Sequence, residues 1–154
     1  DKIILEGTKL FRQLHVEMST PYPGSKELLK KLVECNVKIG VLTNSFGGNM
    51  SKILEQVGLL EYVDAIVDED DVHSFKPMPK PFEEILQRLH VQPSETVFIG
   101  DEYYADIVGA TRIGMSTIWI NTRGLSIEEQ KKRYDTDIEP DIVVNSIEEL
   151  LDFV

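Results

Sequence analysis

Short runs rich in Val and Ile recur along the chain, each bounded by polar or glycine residues, and a stretch with helical spacing separates most from the next. The runs are "VKIGVLTN" (37–44), "YVDAIVD" (62–68), "ETVFIGD" (95–101), "STIWIN" (116–121) and "DIVVN" (141–145). Runs this short and apolar read as strands buried on both faces, which is the habit of a parallel sheet. The helical stretches are "SKELLKKLVEC" (25–35), with Ser25 as expected N-cap after Pro23-Gly24, "MSKILEQVG" (50–58) closing on Gly58, "PFEEILQRLH" (81–90), and "ADIVGATRIG" (105–114) closing on Gly114. The polar stretch 121–137 reads as a loop plus a short helix before the last strand. This alternation predicts an α/β fold, a Rossmann-like open parallel sheet with helices on both faces. The chain has 154 residues, 42% of them hydrophobic, and neither an internal repeat nor a low-complexity linker, so one compact domain is expected.

Composition removes several classes of function. Lys plus Arg is 16 against 27 for Asp plus Glu, a formal charge of −11 with no basic cluster to track a phosphate backbone, so nucleic acid is not an expected partner. Cys35 stands alone, with no disulfide framework and no zinc ligand set; a reducing compartment, by default the cytoplasm, is expected. No apolar run approaches the roughly 20 residues of a membrane span, and the N-terminus lacks a basic segment leading into an apolar one, so a soluble chain without a membrane partner is expected.

Open parallel sheets place ligands at the C-terminal strand ends. There the chain carries Thr43 and Asn44 after the first run, Lys76 in the loop "SFKPMPKPF", and Asp101 with Asp106 around the turn after "VFIG". A hydroxyl, an ammonium and paired carboxylates are what metal-assisted phosphoryl transfer needs: a donor to a phosphate oxygen, a cation against its charge, and hard oxygen ligands for Mg2+. Taken singly, each has a plainer role. Thr43 or Asn44 reads as a cap or turn residue, Asp101 as an N-cap, and Asp106 as a first-turn acid. The ordered set favours the site. The acidic run Asp68 to Asp71 reads as a solvated loop, with an extra metal contact through Asp68 or Glu69 as the alternative. Tyr103 and Tyr104 either face a substrate or have a surface or packing role, and Trp119 reads as core or interface.

Thr43 at a strand end, then Lys76-Pro77, then Gly100-Asp101 with Asp106, resembles the second, third and fourth motifs of the haloacid dehalogenase superfamily. The likeness runs through "TPYPGSKELLKKLVECNVKIGVLTNS", "KPMPKPFEEIL" and "VFIGDEYYADIVGATRIGMSTIWIN", from about residue 20 onward. It implies a magnesium-dependent phosphatase acting on a small phosphorylated metabolite. By the same resemblance Thr43 bonds the transferring phosphoryl group, Asn44 helps to position it, Lys76 neutralises nucleophile and phosphate, and Asp101 and Asp106 hold Mg2+ directly or through water.

The departure lies in the first motif, a strand ending in two aspartates one residue apart, the first of which attacks phosphorus. No such pair precedes Thr43. Residues 1–18 then have two readings ahead of a core at 19–154. They are the last helix of a cap domain, on the helical spacing of Leu10, Phe11 and Leu14, or a decayed first motif with Glu6-Gly7-Thr8 in place of Asp-Gly-Thr. The helix is favoured, leaving the fold capless or with only a cap remnant. This chain alone is expected to be inactive, completed by an N-terminal segment or by self-association. The alternative is a non-catalytic domain that binds phosphate and Mg2+ or a partner protein.

Overall fold

The computed structural model describes residues 2–45 and 48–154. In chain order the elements are α1 (Lys2–Met18), α2 (Ser25–Glu34), β1 (Gly40–Leu42), α3 (Asn49–Gln56), β2 (Ala65–Val67), α4 (Glu69–Val72), α5 (Pro79–Leu89), β3 (Val97–Gly100), α6 (Gly109–Ile113), β4 (Ser116–Ile120), α7 (Ile127–Tyr134) and β5 (Ile142–Val144). Every apolar run contains a strand, and all pairings are parallel. Helix α2 starts one residue earlier than its expected cap implies. Ser25 is its first helical residue, and the N-cap is Gly24 at φ 79°, a left-handed conformation that glycine adopts without cost. The Pro23-Gly24 turn sets that conformation, so a serine cap is not needed there.

Residues 2–18 are helical, not strand. Helix α1 lies against α3, where Gln56 Nε2 donates to Glu17 O over 3.0 Å. Thr8, Arg12 and Val16, four apart, are half-buried, whereas Ile3, Ile4, Leu10, Phe11 and Met18 are exposed. No helix among the described residues is long and apolar enough to cross a membrane.

The sheet is in two pieces, β1–β2 and β3–β4–β5. Packing on both faces explains why these segments are strands. Leu28 of α2 and Leu150 cover Ile118 and Val144 on one side of β4 and β5. On the other side, Tyr103, Ile107 and Val108 enclose Trp119, itself fully buried. Helix α5 serves both pieces: Ile85 and Leu89 pack on Val67, and Phe82 meets Phe98 edge-to-face with ring centroids 5.2 Å apart. Full burial of a side chain such as Phe82 contributes roughly 1.5–3 kcal/mol.

Between the pieces, β1 and β3 each keep a free edge. A strand residue points its N–H and C=O to the same side, and successive residues alternate. Thr43 N donates to Val67 O, so residues 41 and 43 face β2 while Gly40 and Leu42 face away. Ser116 N donates to Thr96 O, so residues 96 and 98 face β4 while Val97 and Ile99 face away. Val97 and Ile99 are also exposed, at 53% and 38%.

Candidate active site

The C-terminal ends of β1 and β3 converge on Lys76. Its ammonium donates to Leu42 O over 3.0 Å, on the free edge of β1, and lies 2.7 Å from Asp106 Oδ1. It also stands 5.4 Å from the centre of the Phe98 ring on β3. The pair is sequestered, with side-chain exposures of 11% for Lys76 and 5% for Asp106. Asn44 fixes the loop that carries the lysine: Asn44 Oδ1 accepts from Lys76 N over 2.8 Å, and Nδ2 donates to Lys76 O over 3.2 Å. Thr43 Oγ1 donates to Ser45 Oγ and accepts from Ser45 N, so the hydroxyl is oriented by its own loop.

Asp106 reaches the site because residues Tyr103–Val108 form a π-helical turn that runs into α6. Such wider turns are rare and cluster at functional sites. Asp106 Oδ2 accepts from Glu102 N over 3.0 Å, closing the turn beneath the strand end. Gly100 permits this approach, since a methyl group there would run into the Asp106 carboxylate. Asp101 is exposed, and its carboxylate forms no hydrogen bond or ion pair among the described residues. Its carbonyl accepts from Trp119 Nε1 over 3.0 Å, which holds the residue while leaving the acid open to a cleft of ≈ 250 Å³. Tyr22, Thr122, Ser146 and Glu148 also line that cleft. A larger depression of ≈ 560 Å³ on α7 shares no residue with this cluster.

The structure therefore joins Thr43, Asn44, Lys76 and Asp106 through direct contacts or adjacent residues, with Asp101 at the neighbouring strand end. Asp106 Oδ1 is buried and, among the described residues, receives no hydrogen bond of good geometry; the Lys76 ammonium lies 2.7 Å from it. That oxygen and the open Asp101 carboxylate are hard donors of the kind Mg2+ takes, although the described residues hold no group of three acids or other ligands. Water would complete such a shell.

Several contributors escape a reading of residue types. Gly100 is recognisable only once Asp106 is known to lie beneath it. Arg123, beyond β4, donates to Glu102 Oε1 over 3.1 Å; its place after a strand end was the available signal. Asp68 is neither a solvated loop residue nor in contact with the Asp101–Asp106 pair. It is 7% exposed and accepts hydrogen bonds from Gly48 N and Asp71 N.

The sequence profile of the haloacid dehalogenase-like hydrolases matches residues 4–120. Pyrophosphatase PpaX of Halalkalibacterium halodurans is 34% identical over 140 residues, covering 91% of this chain and 62% of that protein. A glyceraldehyde 3-phosphate phosphatase of Methanopyrus kandleri is 35% identical over 153 residues, covering 99% of this chain and 64% of that protein. Among solved structures, a HAD phosphatase from Thermococcus onnurineus superposes with a TM-score of 0.74 at 32% identity, covering 86% of this chain and 57% of that one. The chain thus spans less than two thirds of the length of each of these relatives. It belongs to the haloacid dehalogenase-like hydrolase family.

Proposed function

We propose that these residues form the core of a magnesium-dependent phosphomonoesterase that acts on a small phosphorylated metabolite in the cytoplasm. The observation that carries this reading is the buried Lys76 ammonium, held between Leu42 O and Asp106 at the strand ends. A fixed cation of this kind binds a phosphoryl group and stabilises the charge that develops on it during transfer. The names of the relatives, a pyrophosphatase and a glyceraldehyde 3-phosphate phosphatase, support small phosphorylated substrates.

In this reading Thr43 donates its hydroxyl to a phosphoryl oxygen. Asn44 acts chiefly by holding the Lys76 main chain, and Lys76 neutralises the phosphate. Asp101 and Asp106 would hold the cation, Asp101 with an open carboxylate and Asp106 with its Oδ1 already paired to Lys76. The bound Mg2+ would supply charge neutralisation and orientation of the phosphate. The attacking carboxylate comes from a strand in the gap between β1 and β3, carried by an upstream segment or by another chain. Residues 1–154 alone turn nothing over.

Magnesium titration of this chain tests the assignment. Asp101→Asn should weaken binding about tenfold and Asp106→Asn less, because the Asp101 carboxylate is open whereas Asp106 is already engaged by Lys76 and Glu102 N. Equal affinity in both variants and the unsubstituted chain would overturn it. Phosphate release by the complete protein from sugar phosphates, phosphoglycolate and nucleotides decides the activity. A second reading is a non-catalytic phosphate- and Mg2+-binding domain. No release from any substrate, with magnesium binding intact, selects that reading.

A further inference from the structure

Asp68 lies at the end of β2, is 7% exposed, and pairs with no cation among the described residues. A buried carboxylate without a counter-charge is costly unless hydrogen bonds serve it. Both oxygens are engaged by main-chain N–H groups. Oδ1 accepts from Asp71 N over 3.3 Å, which caps α4, and Oδ2 accepts from Gly48 N over 3.1 Å, across the chain in the segment that follows Thr43. Capping needs only the first of these bonds. The second ties two separate loops together.

The surrounding contacts make the tie a continuous seam. Thr43 N donates to Val67 O and Glu69 N donates to Ser45 O, on either side of Asp68 in sequence. Asp71 returns a carboxylate oxygen to Asp68 N over 3.0 Å and is itself held by Arg88 Nη2 at 3.0 Å. Arg88, on α5, also donates to Ile66 O over 2.6 Å. Contacts thus run from α5 through Asp71 and Asp68 to both ends of the segment that carries Thr43, Asn44 and Ser45.

We infer that Asp68 is a positioning residue for phosphoryl binding: by tying Gly48 N–H to the end of β2, beside the Thr43 N–Val67 O and Glu69 N–Ser45 O bonds, it helps to hold the Thr43 hydroxyl in place. This rests on the phosphohydrolase reading above. Asp68 touches no reacting group and acts only through the loop.

Asp68→Asn separates this role from simple capping. Asparagine caps a helix as well as aspartate, but Asp71 N and Gly48 N bond different oxygens of Asp68, and the NH2 that replaces one of them donates and cannot accept. The variant should therefore lose less in melting temperature than Asp68→Ala, which loses both bonds. Two readouts on the 154-residue chain follow. In NMR spectra the Gly48 amide proton, shifted downfield by a carboxylate acceptor, should move upfield in Asp68→Asn while signals from β3, β4 and β5 stay in place. An unmoved Gly48 signal overturns the tie. In titrations with inorganic phosphate, Asp68→Asn should raise the Kd about tenfold, the worth of one charge-assisted hydrogen bond, with magnesium affinity unchanged. Phosphate affinity equal to that of the unsubstituted chain overturns the positioning role. If the unsubstituted chain binds no phosphate, the phosphohydrolase reading fails and the phosphoryl role with it, while the Gly48 signal still decides whether Asp68 holds the loop.

Discussion

The two pieces of the sheet solve the same problem to different degrees. In β3–β4–β5 the middle strand is paired on both sides and covered on both faces, and Thr117 and Trp119 are fully buried. In β1–β2 each strand is three residues long and paired on one side only. The larger piece can be held by ordinary burial. The smaller piece packs on Ile85 and Leu89 of α5 and is held in addition by polar ties: Asp64 Oδ2 accepts from Ile39 N, Lys76 bonds Leu42 O, and Asp68 bonds Gly48 N. Two of those ties involve or adjoin the candidate site. The residues that would bind a phosphate thus also join the less self-sufficient part of the fold to the rest.

The sharpest way to break this comparison is amide hydrogen exchange on the isolated chain. Ile118 and Trp119, within the doubly paired β4, should exchange only on global opening, slower than Gly40, Leu42, Val97 and Ile99 by roughly three orders of magnitude or more. Equal protection at the four free-edge positions would show that a strand from some source already fills the gap, and the pieces would then not differ as described. Buried N–H and C=O groups left unpaired cost about 1–3 kcal/mol each, which is the drive for such a strand to enter.

Removing the tie between the pieces gives the next largest effect. Lys76→Met keeps the length of the side chain but leaves Asp106 as a buried carboxylate whose remaining main-chain donor is Glu102 N. Breaking a buried pair in this way costs about 3–5 kcal/mol. Urea unfolding should show that loss. Loss of cooperativity, with the β1–β2 signals melting ahead of those from β4, would identify the lysine as the link, whereas a single transition at unchanged midpoint would contradict it.

How far the chain could be read beforehand follows the same division. The strands of β3–β4–β5 were legible because burial on both faces imposes an unbroken apolar run, as in "STIWI". The run 37–44 yields only Gly40–Leu42, because Val37 and Lys38 find no strand partner and Ile39 bonds the Asp64 side chain instead. The helix expected over 105–114 is a π-turn and a short α-helix. Apolar spacing does not distinguish these, since Ile107, Val108 and Ala110 face the core in either. Asp68 and Asp71 form a reciprocal capping box, whose spacing of three is visible in the sequence. What sequence could not supply was the partner 20 residues upstream, Gly48, that makes Asp68 more than a cap.

The smallest expected effect lies in the same network and concerns pH. Burial pushes the Asp71 carboxyl upward, but the Asp68 main-chain N–H and the Arg88 guanidinium outweigh it and hold the group below its ordinary value of 3.8. A carboxyl lowered in the folded state stabilises the fold above the unfolded value; that contribution is lost as pH falls through the folded value. The Arg88–Asp71 pair is about a third exposed, with side-chain exposures of 35% and 33%, so solvent screens it and the increment should be under about 1 kcal/mol. Urea midpoints of the unsubstituted chain and of Asp71→Asn, compared from pH 7 downward, should differ by a constant amount until about pH 4 and converge below 3.8. The difference should also fall at high salt. A gap that persists unchanged at pH 2.5 would mean that the packing and cap geometry of Asp71, not its charge, holds α4 against α5, and that the seam leading to Gly48 does not depend on the ion pair.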